Sequence, residues 1–114
     1  MEIEHEHPDR EELELAPVLH AFSDPLRLEV VRALAAGAEP LRCGAFEYLG
    51  IVKSTRTHHF RVLREAGIIR QERKGTAKLM TLRRDDLDAR FPGLLDAVLA
   101  GAPHDAAALS PATA

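Results

Sequence analysis

The chain predicts a mainly α fold carrying one small β-hairpin. Three observations carry that expectation. Apolar residues recur at three- and four-residue spacing in several separate stretches, the period of helices buried along one face. Asp-Pro, Pro and lone Gly residues punctuate those stretches where helices start and stop. Only after Gly67 does the pattern change, to two short runs flanking Lys74-Gly75.

At 114 residues the length fits one domain. Residues 1–10 are rich in Glu and His and poor in apolar side chains, so a disordered start is expected. A first helix is expected over about Glu11–Phe22, with Leu13, Leu15, Val18 and Leu19 as its apolar residues and Pro17 as a bend or restart. Ser23-Asp24-Pro25 then marks a helix start, a capping side chain followed by proline in the first turn. This second helix runs to about Ala36 on Leu26, Val30, Ala33 and Leu34, and Gly37 stops it. Pro40 opens a short third helix to about Leu49, with Leu41, Ala45, Phe46 and Leu49 inward. Gly50-Ile51-Val52 turns the chain into a fourth helix over about 53–66. Two helices joined by so tight a turn match a helix-turn-helix.

Ile68, Ile69 and Gln71 to Arg73 lead into Lys74-Gly75, and Thr76 to Leu82 lead out, with Gly supplying the positive φ of a hairpin turn. Arg84 to Arg90 suggests a helical turn. Phe91-Pro92 starts a last helix with Leu94, Leu95, Val98 and Leu99 apolar and Gly101 at its end. The expected organisation is an acidic, His-rich start (1–10), one domain (11–101) and an Ala/Pro/Ser-rich flexible tail (102–114). A basic hairpin beside a helix-turn-helix reads as a wing, so the expected fold is a winged helix-turn-helix with four helices, a two-stranded wing and a C-terminal helix.

The fourth helix is the informative one. Phe60, Leu63 and Gly67 form its core face. Ser54, Thr57, His58, Arg61 and Arg64 fall on the opposite side. Short hydroxyls allow close approach to phosphates and base edges, and Arg pairs with guanine or phosphate. Such a helix suits the major groove of duplex DNA. Charge agrees. The net charge is −3, but from Ile51 to Arg84 ten bases stand against two acids, which leaves +8. From Met1 to Asp24 eight acids face one base, which leaves −7. A chain polarised in this way offers its cationic side to a polyanion. The expected DNA contacts are Lys53, Ser54, Thr55, Arg56, Thr57, His58, Arg61 and Arg64 on the helix and Arg73, Lys74 and Lys78 at the hairpin tip. His59 lies one position off the clean face; it contacts DNA, packs on the hairpin or bonds a backbone carbonyl.

Several function classes are disfavoured. Ser54, Thr55, His58 and His59 could suggest a nucleophile and base, but no orienting acid or oxyanion hole accompanies them, and no glycine-rich phosphate loop occurs, so an enzyme is not expected. Four Phe, one Tyr and no Trp make an aromatic platform for single strands improbable. No run of eighteen apolar residues suggests a membrane helix, and the acidic N-terminus lacks signal-peptide order. One cysteine, Cys43, fits a reducing cytoplasm. An alternative to DNA binding is a winged-helix protein-interaction module that no longer reads DNA.

Asp24-Pro25-Leu26-Arg27-Leu28, Leu34-Ala35-Ala36-Gly37, Leu49-Gly50, Lys53-Ser54-Thr55, His58-His59-Phe60 and Leu63-Arg64-Glu65-Ala66-Gly67-Ile68-Ile69 occur in this order. Over about residues 12–101 the chain resembles the arsenical-repressor (ArsR) family of bacterial winged-helix transcription regulators. The resemblance implies a homodimer that binds a pseudo-palindromic operator, pairs through its first and last helices (Leu13, Leu15, Val18, Leu19, Leu94, Leu95, Val98, Leu99) and represses transcription. The chain departs from the family pattern at Val52, where a small capping Ser is usual, and at Arg56, where the residue is usually apolar. Metal-sensing relatives carry Cys-x-Cys on the third helix; here Cys43 takes the second position and Leu41 the first. A second family site uses Asp, His and Glu on the last helix, and here only Asp86, Asp88 and Asp96 lie nearby. No metal or other cofactor is therefore expected: Cys43 reads as a small buried hydrophobe, and His5-Glu6-His7 as an adventitious binder.

Overall fold

Asp24 starts the first long helix by accepting hydrogen bonds from the amides of Leu26 (2.8 Å) and Arg27 (3.2 Å). Pro25 follows as the first helical residue, where its missing N–H costs nothing. This helix, α2 (Pro25–Ala36), has the expected bounds and stops at Gly37. The computed structural model describes residues 6–37 and 39–102. The remainder of the expected tail and the first five residues of the expected disordered start lie outside them.

Before α2 the expected single helix is two pieces. Arg10–Glu12 form a separate 3₁₀ turn, closed by the Asp9 amide on Glu12 Oε1 at 2.7 Å. Helix α1 (Leu15–Ala21) follows. Pro17 falls in its first turn, where amides lack intrahelical partners, so it starts the helix without bending it. The expectation of disorder also needs correcting from His7 onward. His7 Nε2 accepts from the Gln71 amide at 3.0 Å, Arg10 pairs with Asp86 at 2.7 Å, and Pro8 and Leu13 lie against Gly67. A few anchoring side chains outweigh the polar composition of the segment.

After α2 the chain forms β1 (Leu41–Arg42) and a 3₁₀ helix over Cys43–Leu49, not an α-helix from Pro40. Strand β1 adds to a hairpin of β2 (Ile69–Lys74) and β3 (Ala77–Leu82), giving the antiparallel order β1-β3-β2. The wing is thus three-stranded, because an exposed edge of β3 offers Leu41 and Arg42 partners that no local helix supplies. Gly50 turns the chain with φ 75°, and α3 (Lys53–Ala66) follows with the expected bounds. The hairpin loop is Gly75-Thr76, since Lys74 already pairs with Ala77. Helix α4 (Arg84–Arg90) covers the residues expected to form a helical turn. The last helix, α5 (Leu94–Gly101), begins two residues late because Gly93 takes a left-handed φ of 83° that no helix continues.

The elements form a mainly α winged helix-turn-helix around one apolar cluster that includes Val18, Val31, Phe46, Leu63, Ile69 and Leu95. Two buried polar groups organise it. Arg27 links the end of α1 to α3, as described below. Glu29 on α2 accepts both Arg32 nitrogens (2.8 and 2.7 Å) and the Tyr48 hydroxyl, which ties α2 to the 3₁₀ helix. Burial next to the Glu29 carboxylate pushes the Tyr48 phenol up to about 12, so it stays a donor. The eight residues expected to pair two copies divide sharply. Leu13, Val18 and Leu95 are buried within one protomer, so they close its own core and offer no surface. Leu15 and Leu19 are about half exposed, and Leu94, Val98 and Leu99 are partly buried.

Candidate nucleic-acid interface

Helix α3 buries His59, Phe60, Leu63 and Ala66, packs Val62 partly against the core and turns its other polar residues outward. Lys53, Ser54, Thr55, Thr57, His58 and Arg61 are exposed, and Arg56 and Arg64 are half-buried. Helical geometry sorts these into two polar stripes. Lys53, Arg56, Thr57 and Arg64 line an open cleft of about 460 Å³ between α3 and the wing. Ser54, His58 and Arg61, spaced i, i+4, i+7, form a stripe beside it. Within that stripe a nitrogen of Arg61 lies 3.3 Å from His58 Nδ1.

The wing closes the far side of the cleft. Arg73 stands opposite Lys78 across β2 and β3, and directly paired residues project to one face. That face also carries Gln71 and Met80, the pair two residues along. Arg73 and Lys78 therefore line the cleft. Lys74 pairs with Ala77 and belongs to the opposite face. The three cations expected together at the tip are thus split by the pleat, two toward α3 and one away from it.

Gln71 was not singled out in the sequence, yet it joins the parts. Its Oε1 accepts from Arg64 Nη1 at 2.8 Å, and its Nε2 lies 3.8 Å from Cys43 Sγ. Alternation of Ile69, Gln71 and Arg73 puts a polar residue on an inward strand face, a signal visible in the sequence. Arg64 is consequently a brace between helix and wing as much as a free cation. Burial lowers its pKa, Glu65 opposes that and Arg61 adds to it. Cys43 is half-buried at the base of the cleft. Burial raises its thiol pKa, and the Gln71 hydrogen bond, Lys78 and Arg56 pull the other way. Among the described residues no group of three or more His, Cys, Asp or Glu could hold a metal ion.

His59 turns inward, neither to the hairpin nor to a carbonyl. Its Nδ1 accepts from Arg27 Nη1 at 3.1 Å, and only 8% of it is exposed. Arg27 also donates from Nε to Ala21 O (2.7 Å) and from Nη2 to His20 O (3.2 Å). These are carbonyls of the last turn of α1, the end of a helix that attracts a cation, and His20 O also accepts from the Ser23 amide at 3.0 Å. One guanidinium therefore caps α1 and fixes the inner face of α3.

In sequence the chain is similar to known helix-turn-helix proteins. A family profile described as a helix-turn-helix domain matches residues 22–72. The HTH-type transcriptional regulator YceK of Bacillus subtilis is 37% identical over 82 residues, which is 71% of this chain and 82% of that protein. An HTH-type transcriptional regulator of Methanocaldococcus jannaschii is 33% identical over 61 residues, 54% of this chain and 68% of that protein. The arsenical resistance operon repressor of Staphylococcus xylosus is 29% identical over 75 residues, 66% of this chain and 71% of that protein.

Proposed function

Because the chain belongs to the ArsR type of helix-turn-helix transcriptional regulators and binds DNA as one, we propose the following way for it to engage an operator. Helix α3 lies in the major groove, with Ser54, Thr55, Thr57 and His58 toward base edges and Lys53, Arg56 and Arg61 on phosphates. Arg73 and Lys78 hold a strand passing through the cleft, and Lys74 meets the flanking backbone. Arg64 acts mainly by bracing the wing through Gln71. The observation that carries this reading is that cations of α3 and of the wing line one cleft. Two copies pair through Leu15 and Leu19 of α1 and Leu94, Val98 and Leu99 of α5. Their recognition helices then meet successive grooves about 34 Å apart. Occupying a promoter in this way represses transcription in the cytoplasm, without catalysis. Among the described residues no helix is long and apolar enough to cross a membrane.

Gel-shift titration across salt concentrations tests the docking. Arg61→Ala and Lys74→Ala should weaken binding to all duplexes and each flatten the log K against log salt slope by about one unit. Ser54→Ala and His58→Ala should instead change which sequences are selected. Unaltered affinity and selectivity in all four variants would remove this docking. The assembly has its own test. Leu19→Glu places a charge on a residue already 46% exposed, so the protomer should keep its helical circular dichroism. Sedimentation should show the dimer replaced by a monomer. A variant that sediments like the unaltered protein would rule out this pairing surface.

A further inference from the structure

Val52 is the most exposed large apolar residue of the described chain, with 67% of its surface open. It is the N-cap of α3, in extended conformation (φ −66°, ψ 155°), and makes no side-chain bond to the first-turn amides. Its carbonyl accepts the first helical bond, from the Arg56 amide at 3.0 Å. A Ser, Thr, Asp or Asn at this position would satisfy one of the orphan amides. An isopropyl group does not, and this one does not join the core either. Single exposed apolar side chains are ordinary on a surface. This one stands at the leading end of the helix, beside exposed Lys53 and Ser54, and the N-terminal residues of a recognition helix are those that reach base edges.

We infer that Val52 is a specificity-determining residue whose methyl groups pack against the C5 methyl of a thymine in each half-site. The inference rests on the docking of α3 proposed above. In the major groove thymine alone presents a methyl group, and apolar contact is how a side chain distinguishes it. Cytosine carries only hydrogen at the same ring position. A serine at position 52 would spend its hydroxyl on the helix amides and leave nothing apolar for that methyl.

The full chain is first used to select bound sequences from a random duplex library. Each thymine of the selected site is then replaced singly by deoxyuridine, which removes one methyl and keeps every hydrogen-bonding group. Wild-type affinity should fall about fourfold at one thymine per half-site, the effect of withdrawing one buried methyl from contact. Val52→Ser should bind the thymine and uracil duplexes alike. Serine is a favoured N-cap, so this variant retains the helix. Equal wild-type affinity for all uracil duplexes overturns the inference. So does a Val52→Ser variant that keeps the discrimination, because the methyl would then act through DNA shape or another residue. Failure to select any sequence would overturn the docking of α3 along with it, whereas a selected site insensitive to thymine methyls overturns the role of Val52 alone.

Discussion

Gly67→Ala should destabilise the domain by about 3 kcal/mol, and two independent costs add to that figure. Gly67 ends α3 with φ 90° and ψ 17°, donating to Arg64 O while the Ile68 amide reaches back to Leu63 O at 3.0 Å. A residue with a β-carbon in this left-handed region is strained by about 1–3 kcal/mol. The added methyl would also overlap the side chain of Leu13. Leu13 is 1% exposed and has little room to yield, and forcing a methyl into packed surroundings costs about 1–3 kcal/mol. Gly50 supplies the control. Its φ is 75°, yet nothing lies within 4 Å of a β-carbon built there, so Gly50→Ala should show the conformational cost alone. Urea denaturation should rank Gly67→Ala well below Gly50→Ala, and Leu13→Ala combined with Gly67→Ala should cost less than the sum of the two single losses. Equal losses at Gly50 and Gly67 would mean that the segment carrying Leu13 is not held against the end of α3.

That comparison marks where the sequence is legible. Helices α2 and α3 were readable because their signals are local. Asp24-Pro25 caps one, Gly37 and Gly67 end them, and the apolar spacing of Phe60 and Leu63 needs no knowledge of distant residues. The basic side of α3 was equally plain, since Lys53, Ser54, Thr57, His58 and Arg61 alternate with those core positions. What was missed is non-local. Strand β1 exists only because β3 has an edge to pair with. Leu13, Val18 and Leu95 fall in the pairing helices that the family resemblance implies, and apolar spacing does not separate a protomer's core from an interface. Arg64 reads as one more cation until Gln71 arrives from β2. The N-terminal segment reads as disordered until His7 and Arg10 find Gln71 and Asp86.

Arg27→Met should cost about 3 kcal/mol at pH 7.5, measured by urea denaturation, because three hydrogen bonds from one charged donor are lost and two of their acceptors, Ala21 O and His59 Nδ1, stay buried. Methionine fills similar volume, so the loss reports the polar links and little cavity. The same site sets a pH dependence. Burial lowers the His59 pKa below its ordinary 6.5; Asp24 opposes this, and Arg27 and His58 add to it. The unfolded chain therefore takes up a proton at a higher pH than the folded one. Above about 6.5 both states are neutral at this residue and its contribution is constant. As pH falls below that value the unfolded state is favoured first, so stability declines until His59 protonates in the folded state as well. Glutamine at this position still accepts from Arg27 but does not titrate. His59→Gln should thus flatten the acid side of the stability profile and change the pH 7.5 value little. Coincident profiles for the wild type and His59→Gln would show that some other group drives the acid sensitivity. The connection to DNA follows from the chain itself, since His59 adjoins His58, with ring centroids 5.7 Å apart. Whatever loosens the buried imidazole also loosens the residue expected at the base edges, so Arg27→Met should weaken sequence selection even under conditions where the domain remains folded.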